Sequence, residues 1–216
     1  MSEPTRVRRL LELLRRTYPE AICELEYRSP WQLLVATVLS AQSTDVRVNQ
    51  VTPELFGRWP GPAELAATEP AELEQVIRPI GFFRSKARNL RESAGRLLRD
   101  HGGEVPCELE SLVALPGVGR KTAKVVLGEA FGVAAGIVVD THVHRLARRL
   151  GLAEHRDPER VATILEQLVP VSEWIGFSHR LILHGRRVCR ARRPRCEACP
   201  LAEICPRVGL VATAED

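Results

Sequence analysis

LVALPGVGRKTAKVVLGEAFGVAAGIVVDTHVHR, residues 112–145, is the most informative stretch of this sequence. At its centre Gly117 and Gly119 stand one residue apart, directly before a helical pattern of apolar residues. Glycine adopts positive φ angles and lets another backbone approach closely. A turn of this kind, followed by a helix N-terminus, presents unpaired amide N–H groups and a positive dipole end, which together suit a phosphate. The pattern predicts either such an anion site or an ordinary corner between two helices.

Two residues of this stretch are candidates for catalysis. Lys121 falls in the first turns of the predicted helix, and a neutral lysine amine is a nucleophile that forms Schiff bases. Asp140 ends an apolar run and is predicted to be the N-cap of the next helix. A lysine nucleophile needs a carboxylate to move protons and offset positive charge. Asp140 is therefore a candidate for chemistry as well as for capping.

LPGVGRKTA followed by VVDTHVHR resembles the helix–hairpin–helix and Gly/Pro-Asp region of the endonuclease III family of DNA glycosylases. The resemblance extends over nearly the whole chain. It implies an all-α, two-domain architecture, with a six-helix barrel that carries the hairpin over residues 24–134. The iron–sulfur cluster domain would then comprise residues 1–23 and 135–216. The sequence pattern itself also favours an all-α fold, because helical periodicity recurs and strand signals are scarce.

Composition narrows the class of protein. The chain has 216 residues and is 44% hydrophobic, which is enough to build a core and too much for a disordered chain. The net charge of +4 is mild, but arginines crowd the N-terminal helix and residues 186–195. Leucines and charges interleave at the N-terminus, so it is not a secretory signal, and no apolar run reaches membrane-spanning length. We expect a cytoplasmic monomer, associated with the nucleoid if the protein is bacterial.

Four cysteines close to the C-terminus follow the spacing C-x6-C-x2-C-x5-C: Cys189, Cys196, Cys199 and Cys205. In a cytosolic chain such a group indicates metal ligation, whereas Cys23 and Cys107 stand apart and are predicted to be inert thiols. Thiolates suit either zinc or an iron–sulfur cluster, and general rules leave that choice open. The spacing is that of the 4Fe-4S cluster loop of the endonuclease III family and related adenine glycosylases. The resemblance therefore implies a 4Fe-4S cluster, with structural zinc as the alternative.

Four arginines lie between the first two of these cysteines: Arg190, Arg192, Arg193 and Arg195. They could form a solvated face. On a loop pinned by a metal centre, however, guanidinium groups are pre-positioned for DNA phosphates. We expect the cluster to be structural and to hold this basic loop against DNA.

Two further positions gain a role through the resemblance. The polar segment LSAQSTD follows a long buried helix and could simply cap the next helix through Thr44 or Asp45. In the family, the corresponding glutamine enters the DNA helix where the damaged base has left, which assigns that role to Gln42. The family also places an apolar wedge, often leucine, at the position of Phe82. An inserted apolar side chain unstacks base steps, although Phe82 could instead anchor its loop in the core.

By resemblance, the chain is a bifunctional glycosylase and abasic-site lyase that acts on oxidised pyrimidines in duplex DNA. Lys121 would be the nucleophile and Asp140 its carboxylate partner, while the amides of Gly117 and Gly119 hold a phosphate. The alternatives are an adenine glycosylase, a uracil or thymine mismatch glycosylase, and a non-catalytic DNA-binding module. Lys121 argues against the adenine glycosylase, which would lack a hairpin lysine, and the presence of both candidate catalytic residues argues against the binding module. The range of lesions is not determined by the sequence.

Overall fold

The computed structural model describes residues 2–210, and every regular element among them is helical. The predicted all-α fold is confirmed. In chain order the helices are α1 (Glu3–Thr17), α2 (Pro30–Ser40), α3 (Asp45–Arg58), α4 (Pro62–Ala67), α5 (Pro70–Val76), α6 (Phe83–His101), α7 (Leu109–Val113), α8 (Arg120–Phe131), α9 (Thr141–Arg149), α10 (Pro158–Leu168) and α11 (Trp174–Arg187), with a 3₁₀ turn at Val171–Glu173. None of the described helices has the length and apolarity to span a membrane.

The chain divides into two compact units. One is Glu24–Ala135, and the other combines the described parts of Met1–Cys23 and Gly136–Asp216. The first unit contains α2–α8. Its centre is α2, whose residues from Leu33 to Leu39 are all buried and which packs against α3, α6 and α8. Ser29 starts α2 as predicted, because its Oγ accepts a hydrogen bond from the Gln32 amide at 3.2 Å.

Helix α6 contacts two segments that contain candidate site residues, the loop of Phe82 and the turn between α7 and α8. Leu90, Ala94 and Leu97 form its buried stripe, and α4 and α5 pack against it. The helix follows Phe82, which adopts a left-handed conformation, and ends at Gly102, which adopts another. Its N-terminal end therefore adjoins the loop of Phe82, and its middle faces the turn between α7 and α8.

The second unit is built from α1, α9, α10 and α11 around a single core. Leu14, Leu146 and Phe177 are among its fully buried residues. The N-terminal helix is also tied to the end of α9, because the Arg6 guanidinium donates hydrogen bonds to the carbonyls of Leu150 and Gly151. These carbonyls lie at a helix C-terminus, where a cation is favourable.

Candidate functional site

The turn between α7 and α8 contains two glycines with different constraints. Gly117 has φ +77°, and a Cβ placed there would lie 2.8 Å from the Asn89 side-chain nitrogen. Both the backbone angle and the close approach require glycine at this position. Gly119 is the N-cap of α8 in an extended conformation, with no atom within 4 Å of the place a Cβ would occupy. The open space at Gly119 adjoins the first amide groups of α8, which have no partners within the helix.

Two polar side chains of α6 hold the turn. The Ser93 hydroxyl donates to the Pro116 carbonyl at 2.8 Å, and the Arg96 guanidinium donates to the Ala114 carbonyl at 2.7 Å. The carbonyls are thereby satisfied from within the protein, and Gly117 and Gly119 are exposed. Sequence reasoning missed Ser93 and Arg96, because neither belongs to a recognisable motif.

Lys121 is exposed in the first turn of α8. The sequence contains only two other lysines, Lys86 and Lys124, and each is 7% exposed. Lys121 is thus the one lysine whose amine is available to a macromolecular substrate. The exposure of Lys121 and the burial of the other two lysines therefore identify the candidate nucleophile more specifically than the sequence motif does.

Asp140 caps α9, as predicted. Its Oδ1 accepts a hydrogen bond from the Val143 amide at 2.8 Å, and its Oδ2 makes no hydrogen bond with a described residue. Two residues shortly before it are held by side chains of α10 and α11: the amide of Ile137 donates to Glu166 at 2.8 Å, and that of Val138 donates to Ser178 at 3.1 Å. One carboxylate oxygen therefore orients Asp140 while the other stays available. Asp140 and Lys121 belong to different units of the chain.

The structure brings the loops of Gln42 and Phe82 together within one unit. The Gly81 amide donates to the Ser43 hydroxyl at 3.3 Å, and a Cβ on Gly81 would lie 3.5 Å from the Gln42 carbonyl. Gln42 and Phe82 both have left-handed backbones, with φ of 56° and 57°. Phe82 is 68% exposed, so it does not anchor its loop in the core.

The four cysteines of the C-terminal motif line one partly open pocket. Its remaining walls are largely apolar and include Leu146, Leu150 and Leu201. The thiols do not converge on a point: within residues 2–210, no three His, Cys, Asp or Glu side chains are placed to hold one metal ion. Burial raises the pKa of the Cys199 and Cys205 thiols, which disfavours their thiolates where no cation lies beside them. Four cysteines that line one largely apolar pocket supply the donor set of an iron–sulfur cluster.

Side chains of α9 hold the first part of the cysteine loop. The Arg145 guanidinium donates to the Cys189 carbonyl, at 3.0 Å from one of its nitrogens. Arg149 donates to the Cys189 sulfur at 3.3 Å and to the Arg190 carbonyl at 2.7 Å. Hydrogen bonds to ligand sulfurs and to the loop backbone orient a metal site from outside its ligands. The sequence gives only a weak indication of this role. The two arginines are four residues apart, so they share one face of the helix that Asp140 caps.

His184 also contacts one of the predicted cluster ligands. The ring is 2% exposed, and its Nε2 lies 3.5 Å from the Cys199 sulfur while its Nδ1 lies 2.9 Å from the Tyr18 hydroxyl. Burial lowers the pKa of His184 to about 4, so the ring is neutral near pH 7. An iron-bound thiolate can only accept a hydrogen bond. With the cluster bound, Nε2 must therefore donate to the sulfur, and the Tyr18 hydroxyl must donate to Nδ1.

All four predicted phosphate ligands of the cysteine loop have exposed side chains: Arg190, Arg192, Arg193 and Arg195. The loop has no helix or strand of its own, and Arg193 adopts a left-handed backbone with φ 53°. Its conformation depends on the cysteines and on the arginines of α9. The structure thus presents these four cations on a segment that Arg145 and Arg149 of α9 hold in place.

Comparison with known proteins identifies the family. Residues 35–171 match the model of the HhH-GPD superfamily of base excision DNA repair proteins, and residues 189–205 match that of the iron–sulfur binding domain of endonuclease III. Endonuclease III of Synechocystis sp. is 50% identical over 205 residues, which are 95% of this chain and 94% of the relative. The chain belongs to the endonuclease III family.

Two solved structures of endonuclease III with DNA are similar to this family member. A non-covalent endonuclease III–DNA complex and a trapped endonuclease III–DNA covalent intermediate each match it with a TM-score of 0.90 and 44% identity. Each match covers 96% of this chain and 97% of the solved one. The predictions of DNA binding, of a base-excision-repair glycosylase with the family's glycosylase and lyase class, and of a 4Fe-4S cluster are confirmed.

The two hairpin glycines should respond differently to alanine. Gly117→Ala should cost about 1–2 kcal/mol of stability from the left-handed backbone alone, with a further cost from contact with Asn89. Gly119→Ala should cost less than about 1 kcal/mol, the cost of a poorer N-cap residue, but should bind DNA more weakly, because its methyl group occupies the space beside the α8 amides. Thermal denaturation and DNA titration measure the two effects. Equal loss of stability in both variants would contradict the assignment.

Proposed function

We propose that this endonuclease III family member removes oxidised pyrimidines from duplex DNA and then cuts the strand 3′ to the abasic site by β-elimination through a lysine Schiff base. The observation that carries the proposal is the placement of Lys121. It is the exposed lysine of the chain, and it stands beside an open, glycine-lined helix N-terminus of the kind that binds phosphate. A trapped covalent intermediate in a solved relative supports the same chemistry.

In this proposal, binding relies on contacts that carry no sequence information. Amides at Gly117 and Gly119 hold a backbone phosphate, which positions the duplex without reading bases. The damaged nucleotide leaves the stack, because its reactive atom cannot be reached inside a duplex. The exposed side chains of Gln42 and Phe82 occupy the gap that it leaves. The protein acts as a monomer, since nothing in this scheme calls for a second copy.

The chemistry follows from an amine and a carboxylate. The Lys121 amine attacks C1′, the bond from C1′ to the base breaks, and the base leaves with its electron pair and gains a proton. Asp140 stabilises positive charge on the sugar through its uncapped Oδ2 and accepts a proton from the amine. The nitrogen then donates its electron pair to C1′, the bond from C1′ to the ring oxygen breaks, and that oxygen gains a proton, which opens the sugar and yields the Schiff base. Removal of a proton from C2′ then expels the 3′ phosphate, which completes the β-elimination.

The cluster has a structural role in this scheme. Cys189, Cys196, Cys199 and Cys205 would hold the cluster through their thiolates and so cross-link the C-terminal segment, and metal binding of this kind contributes directly to folding. Cys189 and Cys196 bracket the basic loop, so the cross-link keeps four guanidinium groups presented for DNA phosphates.

A panel of duplexes tests the proposal. Thymine glycol and 5-hydroxycytosine should be excised, and the product should carry the unsaturated aldehyde end that β-elimination leaves. Adenine opposite 8-oxoguanine, and uracil or thymine opposite guanine, should be poor substrates. Preference for one of these mispairs, or base release without strand cleavage, would assign the chain to one of the other glycosylase classes.

The basic loop makes a quantitative prediction. Each arginine that contacts a phosphate contributes about one unit to the slope of log K against log salt. Replacing all four with glutamine should weaken binding alike on every DNA sequence and flatten that slope. The matched control removes the same charge from α1, at Arg8, Arg9, Arg15 and Arg16. If both quadruple variants change the slope equally, the loop contributes only net charge.

A further inference from the structure

Lys86 is a buried lysine that the proposed chemistry does not use. It lies in the first turn of α6 and is 7% exposed. Its side-chain amine donates to the Leu39 carbonyl at 2.9 Å and also to the Ala41 carbonyl. These carbonyls lie at the C-terminal end of α2, where backbone acceptors have no partner within the helix. Burial lowers the pKa of Lys86, but the amine offers at least two N–H donors in either protonation state.

The two acceptors are the residues that lead directly into Gln42. Helix α2 ends at Ser40, and Gln42 then turns into the left-handed region with φ 56°. A non-glycine residue in that region is strained and persists only where its surroundings impose the conformation. By binding the carbonyls of Leu39 and Ala41, the Lys86 amine holds the backbone from which the strained residue departs.

Lys86 also contacts the loop of Phe82. Its backbone amide donates to the Phe82 carbonyl at 3.1 Å, which is the first helical hydrogen bond of α6. Phe82 is itself left-handed and exposed. Two weaker links join the same loops, from the Gly81 amide to the Ser43 hydroxyl and from the Arg47 guanidinium to the Pro79 carbonyl, each at 3.3 Å.

We propose that Lys86 is a positioning residue that holds Gln42 and Phe82 as one preformed unit for entry into the DNA gap. The inference rests on the proposed function, because it assumes that the side chains of Gln42 and Phe82 both enter the DNA. Preorganisation of this kind lowers the cost of binding, since the two loops need no ordering when the duplex opens. Lys86 contacts no substrate and acts only through the loops that it joins.

The test measures discrimination, defined as the affinity for a duplex with a stable abasic-site analogue divided by the affinity for the same undamaged duplex. Lys86→Met keeps the length of the side chain and removes its donors. We expect discrimination to fall about tenfold, the scale of one strained conformation. Affinity for undamaged DNA should stay unchanged, because phosphate contacts are made elsewhere. Lys86→Gln can still donate to one carbonyl, so its discrimination should decrease by less. This variant also replaces Lys86→Met in the test if Lys86→Met does not fold.

Leu97→Ala is the matched control for loss of stability. Leu97 is fully buried on the same helix, about 16 Å along its axis from Lys86 at 1.5 Å per residue. It should lower the melting temperature without altering discrimination. If Leu97→Ala reduces discrimination as much as Lys86→Met does, Lys86 has only a structural role and the inference is overturned.

A double-mutant cycle with Gln42→Ala decides whether Lys86 acts through the loop. If it does, the double variant should lose less discrimination than the sum of the two single losses, because coupled residues are not additive, and the loss that remains acts through Phe82. Fully additive losses would reject the inference while leaving the proposed function intact. A wild-type protein without any preference for the abasic analogue would instead contradict the proposed function itself.

Discussion

Lys121→Gln should bind DNA that contains an abasic site and form no borohydride-trapped complex, whereas the wild-type protein should be trapped efficiently. The substitution removes the amine and keeps similar bulk on an exposed position at the start of α8. Folding should therefore be unaffected. Because the other two lysines are each 7% exposed, no second lysine can readily take over. Gel mobility after borohydride reduction measures the covalent complex, and peptide mapping locates the modified lysine.

The control for this prediction is Arg120→Gln, which removes a neighbouring cation from the same turn. It should still be trapped, since the loss of one positive charge leaves the nucleophile in place. Efficient trapping of Lys121→Gln would place the nucleophile elsewhere, with the terminal amine as the next group to examine.

Asp140→Asn separates capping from chemistry. Asparagine caps helices as well as aspartate does, so the hydrogen bond to the Val143 amide can persist and stability should change little. The variant loses the negative charge of the carboxylate. General acid–base assistance is worth about a hundred- to ten-thousand-fold in rate, and turnover should fall within that range. Full glycosylase activity in Asp140→Asn would mean that Asp140 serves only as the N-cap of α9.

Loss of a cluster ligand should have the second large effect. Residues 188–210 contain no helix. Their four cysteines line one pocket, and arginines of α9 donate hydrogen bonds to their backbone. Cys196→Ser removes one of four thiolates and leaves an apolar pocket without its cross-link. We expect a loss of about 4 kcal/mol or more, since loss of a metal site is among the large mutational effects. For a chain of this size, that corresponds to roughly 8–16 °C in Tm.

Several measurements check this prediction together. The purified wild-type protein should be yellow-brown and contain iron and acid-labile sulfide. Cys107→Ser is the matched control, because Cys107 is exposed and lies outside the pocket. It should keep the colour, the iron and the melting temperature. Zinc without sulfide in the wild-type protein would contradict the cluster assignment.

Much of this molecule was predictable because its signals are local. The periodicity of α6 and α9, the Asp140 cap and the cysteine spacing each depend on residues within a few turns of one another. Lys86 marks the limit of such reasoning. It stands four residues before Leu90 and therefore on the buried stripe of α6, where a lysine is unexpected. That signal indicates a buried amine, but it does not identify the acceptors, which lie more than forty residues earlier in the chain.

The sequence by itself predicted the helical fold and the family, and it supplied the candidate cluster ligands and the candidate nucleophile, because periodicity and short motifs are local signals. Only the tertiary structure decided which of those residues are available for chemistry. It left Lys121 exposed while it buried Lys86 and Lys124, and it required glycine at position 117 while leaving open space at Gly119. It also turned Phe82 outward and joined its loop to that of Gln42. The physical reason is that burial and hydrogen-bond partners depend on segments distant in the chain, which meet only when the helices pack.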